Sequence, residues 1–97
     1  MFDKMKQLME MKKQAEQLKR ELDATILEVN EIRGIKIVVN GSQNFQLLEI
    51  DAGLLTAENK KRLEGDLIKA LNTAVRKAQN AAAQKMKSMT GLNIPGL

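Results

Sequence analysis

The hydrophobic period changes twice along the chain, and those two changes restrict its fold more than any other feature. Residues 2–23 are rich in Lys, Gln, Glu, Met and Leu and hold no Gly or Pro, which predicts a helix. Written as heptads, Met1, Leu8, Ala15 and Leu22 take one core position. Met11 and Leu18 take the other, which Lys4 interrupts, and Met5 and Met9 widen the stripe. Glu16 stands four residues before Arg20, the favourable order for an ion pair on a helix. At Thr25 the period becomes two. Thr25, Leu27 and Val29 alternate with Ile26, Glu28 and Asn30, predicting a strand over 24–30; Gly34 marks a turn; Ile35, Ile37 and Val39 alternate through a second strand. Asn40-Gly41 predicts a two-residue type I′ hairpin turn. Residues 43–50 form a third strand in which Leu48 and Ile50 share one face and Phe45 and Leu47 the other, an irregularity that a bulge or burial on both faces explains.

After a connector over 51–55 the helical period returns. Thr56 is placed as N-cap, with Glu58 in the first turn where an acid suits the helix dipole. A helix over about 57–89 follows, its inner stripe running Leu63, Leu67, Leu71, Ala74, Ala78, Ala81 and Lys85, with Val75 and Ala82 beside it. Gly65 is read as permitting a close packing contact, and Gly91 as the helix stop. The expected fold is therefore α+β, ordered α-β-β-β-α, with a three-stranded antiparallel sheet between two long helices. Residues 1–91 make a single domain and 92–97 a flexible tail. The helices would be about 33 and 48 Å long at 1.5 Å per residue, and the sheet only about 23 Å. Both helices overhang it, and apolar stripes that overhang call for a second copy of the chain.

The chain carries 16 bases and 12 acids, unevenly spread. Residues 69–97 hold Lys69, Arg76, Lys77, Lys85 and Lys87 and no acid, and residues 1–20 hold six bases against three acids. Basic ends around an acidic middle point to a polyanion, nucleic acid or an anionic membrane surface. The chain has no His, Cys, Trp or Tyr. That excludes thiolate or imidazole zinc sites, His-based nucleophilic catalysis and disulfides. Two Phe do not make a base-stacking platform. Gly34 and Gly41 are isolated turn glycines rather than a phosphate loop. Glu49 and Asp51 read as a solvent-facing residue and a cap for the connector rather than as a metal pair. No apolar run reaches membrane-spanning length. A cytoplasmic, non-enzymatic protein without cofactor, metal or small-molecule substrate is expected.

The residues resemble the YbaB/EbfC nucleoid-associated proteins over nearly the whole length. The resemblance starts at Met1-Phe2-Asp3-Lys4-Met5 and the Lys/Gln/Glu helix. It is strongest in Ile35-Lys36-Ile37-Val38-Val39-Asn40-Gly41, Leu48-Glu49-Ile50-Asp51 and Leu54-Leu55, and continues through Leu71-Asn72-Thr73-Ala74 to the Pro-Gly tail of Leu92 to Leu97. The chain departs from the family in having only Gly34 before the second strand and no Gly-rich N-terminal stretch. The resemblance implies a small bacterial protein that forms a tweezer-like homodimer, binds duplex DNA with limited sequence preference, helps organise the nucleoid and influences gene expression.

From the residues, the expected mechanism is a cationic clamp driven by phosphate neutralisation. Its candidates are Lys4, Lys6, Lys12, Lys13, Lys19 and Arg20 on the first helix, and Arg76, Lys77, Lys85 and Lys87 on the second. The last four stand out because their stretch of sequence holds no acid. The alternative is a dimeric scaffold that docks a protein partner through its Met-rich helical surface. Adsorption of the first helix to anionic lipid is a weaker third reading.

Overall fold

A computed structural model of the chain describes residues 2–90, Thr90 by its backbone alone. Met1, the Gly91 helix stop and the 92–97 tail lie outside the described residues. Helix α1 (Phe2–Ala24) leads into strands β1 (Ile26–Val29), β2 (Ile35–Asn40) and β3 (Phe45–Ile50); a 3-10 turn at Ala52–Leu54 precedes helix α2 (Lys60–Thr90). The strands form one antiparallel sheet with β2 in the centre. The expected α-β-β-β-α order is thus the observed one.

The core lies between one face of the sheet and the middle of α2. Val29, Ile35, Ile37 and Val39 are buried against Ala70, Ala74 and Ala78, with Leu27, Ile32, Leu54, Leu63 and Leu67 packed around them. Three alanines at this contact let the α2 backbone lie close to the β-branched side chains of β2. Ala70 takes the place in the stripe expected for Leu71. Leu71 instead faces off the core, exposed along with Ile68. α2 packs on β1 and β2 and leaves β3 largely uncovered. Phe45 and Leu48 are therefore about half exposed, at 48% and 52%.

The irregular period of β3 is a bulge. Pairing runs Ile37↔Leu48 and Val38↔Leu47, then jumps to Val39↔Phe45, leaving Gln46 as the extra residue. Phe45 is thereby set opposite inward-facing Val39, together with Leu48 and Ile50.

The β2–β3 connection differs from the expected type I′ turn. Gln43 N–H donates to the Asn40 carbonyl at 3.0 Å, and the left-handed residue is Gln43, at φ 65°, not Gly41. The loop is thus a three-residue one closed by a left-handed residue. Gly41 is required for another reason. Its N–H donates to the Leu22 and Thr25 carbonyls, both at 2.9 Å, and a Cβ there would sit 2.9 Å from the Leu22 carbonyl oxygen. Buried Asn40 completes the clasp. Its Oδ1 accepts from the Ser42 and Asn44 N–H groups at 3.0 Å, and its Nδ2 donates to the Asp23 carbonyl at 3.4 Å. The Ser42 hydroxyl also donates to the Asp23 carboxylate. The end of α1 is thus locked to the hairpin by hydrogen bonds from both backbone and side chains.

Two further expectations are corrected. α2 begins at Lys60 instead of 57, because the Asn59 and Lys60 N–H groups first close i→i+3 turns onto the Thr56 and Ala57 carbonyls at 3.2 and 3.4 Å; the Thr56 hydroxyl does accept the Asn59 N–H at 3.2 Å, as expected of a cap. Nothing lies within 4 Å of a Cβ placed on Gly65, so no close packing contact requires that glycine. Asp51 stands at the N-terminus of the 3-10 turn without a side-chain capping bond.

Candidate nucleic-acid interface

α1 runs back from the hairpin antiparallel to the C-terminal part of α2. Met11, Gln14, Ala15 and Leu18 line a shared groove with Met86 and Met89. The two helices make a stalk that gives the molecule its extents of 67 × 26 × 16 Å. No residue of α1 is fully buried.

The stalk holds the net charge. Residues 2–22 carry six bases and four acids, and residues 81–90 two bases and no acid, whereas residues 23–80 carry eight of each. The +4 of the whole chain is therefore the charge of the stalk. Among the described residues the ion pairs all lie on the body: Lys36–Glu28 at 3.7 Å, Lys77–Glu31 at 2.9 Å, Lys60–Glu64 at 3.4 Å and Arg62–Asp66 at 4.0 Å. Glu16 and Arg20 do not form the expected pair. The stalk bases thus keep their charge open to a ligand, while the body largely compensates its own.

The ten expected contact residues divide along this line. Lys4, Lys6, Lys12, Lys13, Lys19 and Arg20 project from α1, and Lys85 and Lys87 from the end of α2. With 100° of turn per residue, Lys6, Lys13 and Arg20 form a row at seven-residue spacing, on the face of α1 turned away from the Met11–Ala15–Leu18 seam. Lys12 and Lys19 lie together on one side, about 100° round from it, and Lys4 falls on the seam line. Lys85 is half buried beside Thr25 and Leu27, its stem along the apolar groove. Lys87 is exposed.

Arg76 and Lys77 lie over the sheet instead. Lys77 does have a neutralising acid. Besides its pair with Glu31 it donates to the Glu28 carbonyl at 3.2 Å, and both partners come from β1 and the loop after it, distant in sequence. Arg76 donates to the Thr73 hydroxyl at 3.3 Å and lines a shallow cleft with Lys69 and Asn72. The structure does not bring these two together with the α1 row.

The sequence reading placed Met5 and Met9 in the helix-pairing stripe. The helical turn sets Met9, with Phe2, about 150–170° away from the seam, and Met5 more than 100° away. All three are exposed, Phe2 at 88%. The signal was present in the spacing: once Met11, Ala15 and Leu18 face α2, residues 2 and 9 cannot.

Fold and charge define a class, a small α+β protein with a projecting helical arm of net positive charge. Residues 1–93 match the YbaB/EbfC DNA-binding family, and the chain belongs to it. That family is one of nucleoid-associated DNA-binding proteins, not of enzymes. The chain is 33% identical over 98 residues to a nucleoid-associated protein of Syntrophobacter fumaroxidans, covering 99% of this chain and 89% of that protein. It is 35% identical over 95 residues to one of Pelotomaculum thermopropionicum, covering 96% and 90%. Over 62 residues it is 48% identical to one of Hahella chejuensis, covering 63% and 56%. The crystal structure of uncharacterized protein HP0035 from Helicobacter pylori superposes with a TM-score of 0.78 at 25% identity, over 93% of this chain and 97% of that one. Among the described residues no helix is long and apolar enough to cross a membrane.

Proposed function

We propose that the protein binds duplex DNA as a tweezer-like homodimer, mainly through phosphate contacts with limited sequence preference, and that it helps organise the nucleoid and so influences gene expression. The observation that carries this reading is the placement of the whole net charge on a stalk whose bases form no ion pairs among the described residues. Membership of a DNA-binding family supports it, as do the names of the relatives for the nucleoid. Counterion release from phosphates supplies the affinity, and each neutralised phosphate steepens the salt dependence.

The homodimer is argued from the uncovered edge. β3 is an edge strand with unpaired backbone groups, its Phe45 and Leu48 are exposed, and so are Ile68 and Leu71 of α2. A second copy on this edge satisfies both the backbone and the apolar surface. The dimer presents two stalks, hence two copies of each basic row.

Fluorescence anisotropy of a labelled duplex, titrated at two salt concentrations with two unrelated sequences, tests the reading. Comparable binding of both sequences with affinity falling steeply as salt rises is expected. Absence of binding at low salt by a verified dimer refutes it. The exposure of Met5, Met9 and Met11 favours the second reading, a dimeric scaffold that docks a protein partner. That reading predicts no binding to the duplex.

A further inference from the structure

We propose that Phe2, backed by Met5 and Met9, is a wedge that enters a base step of the bound duplex, partly unstacks it and kinks the DNA. The inference rests on the duplex-binding reading and deepens it.

Three observations meet at this residue. Among the described residues Phe2 is the most exposed of the large apolar side chains, at 88%, and stands at the first described position of α1, at the end of the helix far from the hairpin. It is turned away from the α2 seam, so pairing of the two helices does not account for it. It also shares its face with the Lys6–Lys13–Arg20 row, with Lys4 and Lys6 close by in sequence. A polyanion drawn onto that row is carried past Phe2, Met5 and Met9. Charge complementarity selects the occupant of this apolar tip: the surface that meets it must be polyanionic and must offer an apolar slot.

Duplex DNA has both properties once a step opens. Proteins that kink DNA insert Phe, Leu, Ile or Met between base pairs and bend the duplex by about 20–90° per wedge. Pyrimidine–purine steps open most easily, so the wedge gives a mild preference for duplexes containing TpA or CpA steps without reading base edges. Two stalks in a dimer place two wedges on one duplex. Phe has a π-face for the exposed base, and the flexible thioethers of Met5 and Met9 fill the irregular space beside it.

The test uses the full chain in three forms: wild type, Phe2→Ala and Phe2→Trp. Phe2 is outside the core, so all three are expected to melt alike. One duplex carries a fluorophore at each end, and a second carries 2-aminopurine at a central TpA step. Wild type is expected to shorten the end-to-end distance and to raise 2-aminopurine emission severalfold. Phe2→Ala is expected to lose most of both signals while its affinity falls no more than about tenfold. Phe2→Trp is expected to restore them. Its indole, the sole Trp of the chain, should be quenched on adding duplex.

Wild-type binding without bending or unstacking, or Phe2→Ala indistinguishable from wild type in both signals, overturns the wedge and leaves the duplex-binding reading standing. Failure of wild type to bind at all removes both. Phe2→Trp emission that shifts to the blue with phosphatidylglycerol vesicles, or with rising protein concentration alone, and is unchanged by duplex also overturns the wedge. It then assigns the tip to a lipid surface or to a second copy.

Discussion

The stalk and the body are built from similar residues by opposite rules. In the body, α2 lies on the sheet through alanines, the strand side chains beneath it are buried, and eight bases are balanced in number by eight acids, with cross-links such as Lys77–Glu31. In the stalk, α1 buries no residue completely, its Met-rich tip is exposed, and its bases have no acid partner within ion-pair distance among the described residues. Burial of apolar area makes the body stable. Unpaired charge on an extended pair of helices makes the stalk adhesive to a polyanion. The difference teaches that net charge is a poor guide to a site until it is divided by location: the same +4 spread evenly would mean little.

The largest expected effect breaks the comparison on the stalk side. Replacing Lys6, Lys13 and Arg20 together by Glu removes one whole row, twice over in a dimer. Duplex affinity at about 0.1 M salt should fall by more than about 100-fold and the salt slope should flatten by about 0.9 per lost phosphate contact. Lys77→Ala, which opens a body ion pair, should change affinity less than about threefold. Equal losses from both variants in an anisotropy titration would erase the distinction.

Next comes the body. Ile37 has no exposure and is the largest of the fully buried side chains. Ile37→Ala should cost about 2–5 kcal/mol in chemical denaturation. Met9→Gln, on the exposed face of the stalk, should leave the denaturation midpoint unchanged; a comparable loss from Met9→Gln would show that the stalk tip is packed.

A smaller effect is expected at the joint. Gly41→Ala pushes a Cβ against the Leu22 carbonyl and should destabilise by about 1–3 kcal/mol. It should also change the angle at which α1 leaves the hairpin, so solution scattering should show an altered maximum dimension relative to wild type. Unchanged stability would mean that the clasp is looser than its hydrogen bonds imply. The smallest effect has the opposite sign. Gly65→Ala, with open space around the new Cβ, should stabilise by about 0.5–1 kcal/mol through helix propensity alone. A loss there would reveal a contact made only in the dimer.

Much of this architecture was legible in the residues, for definable reasons. The switch of period at Thr25 and the alternation of Ile35, Ile37 and Val39 are local signals, and the elements they predict are present. The bulge in β3 was visible as a broken alternation, although its position at Gln46 depends on pairing with β2. Ala70 was passed over for Leu71 because hydrophobicity favours leucine, while the close approach of α2 to β-branched strands favours alanine. Asn40-Gly41 carried the signature of a tighter turn, but the backbone of α1 approaches Gly41, which then adopts no positive φ. The site was read less completely. Acids remote in sequence were invisible when Lys77 was judged unpaired, since only folding brings Glu31 to it. Met5 and Met9 were counted with the helix seam because they are apolar, although the spacing of Met11, Ala15 and Leu18 turns both away from it.

The central claim is that DNA is held by the stalk. Backbone amide chemical shifts of isotopically labelled protein, followed while a short duplex is added, test it most directly. Perturbations concentrated in residues 2–22 and 81–90, with the sheet and residues 60–77 of α2 nearly silent, are the predicted result. Perturbations centred on the Lys60–Lys77 stretch of α2, with the α1 amides unmoved, would contradict it.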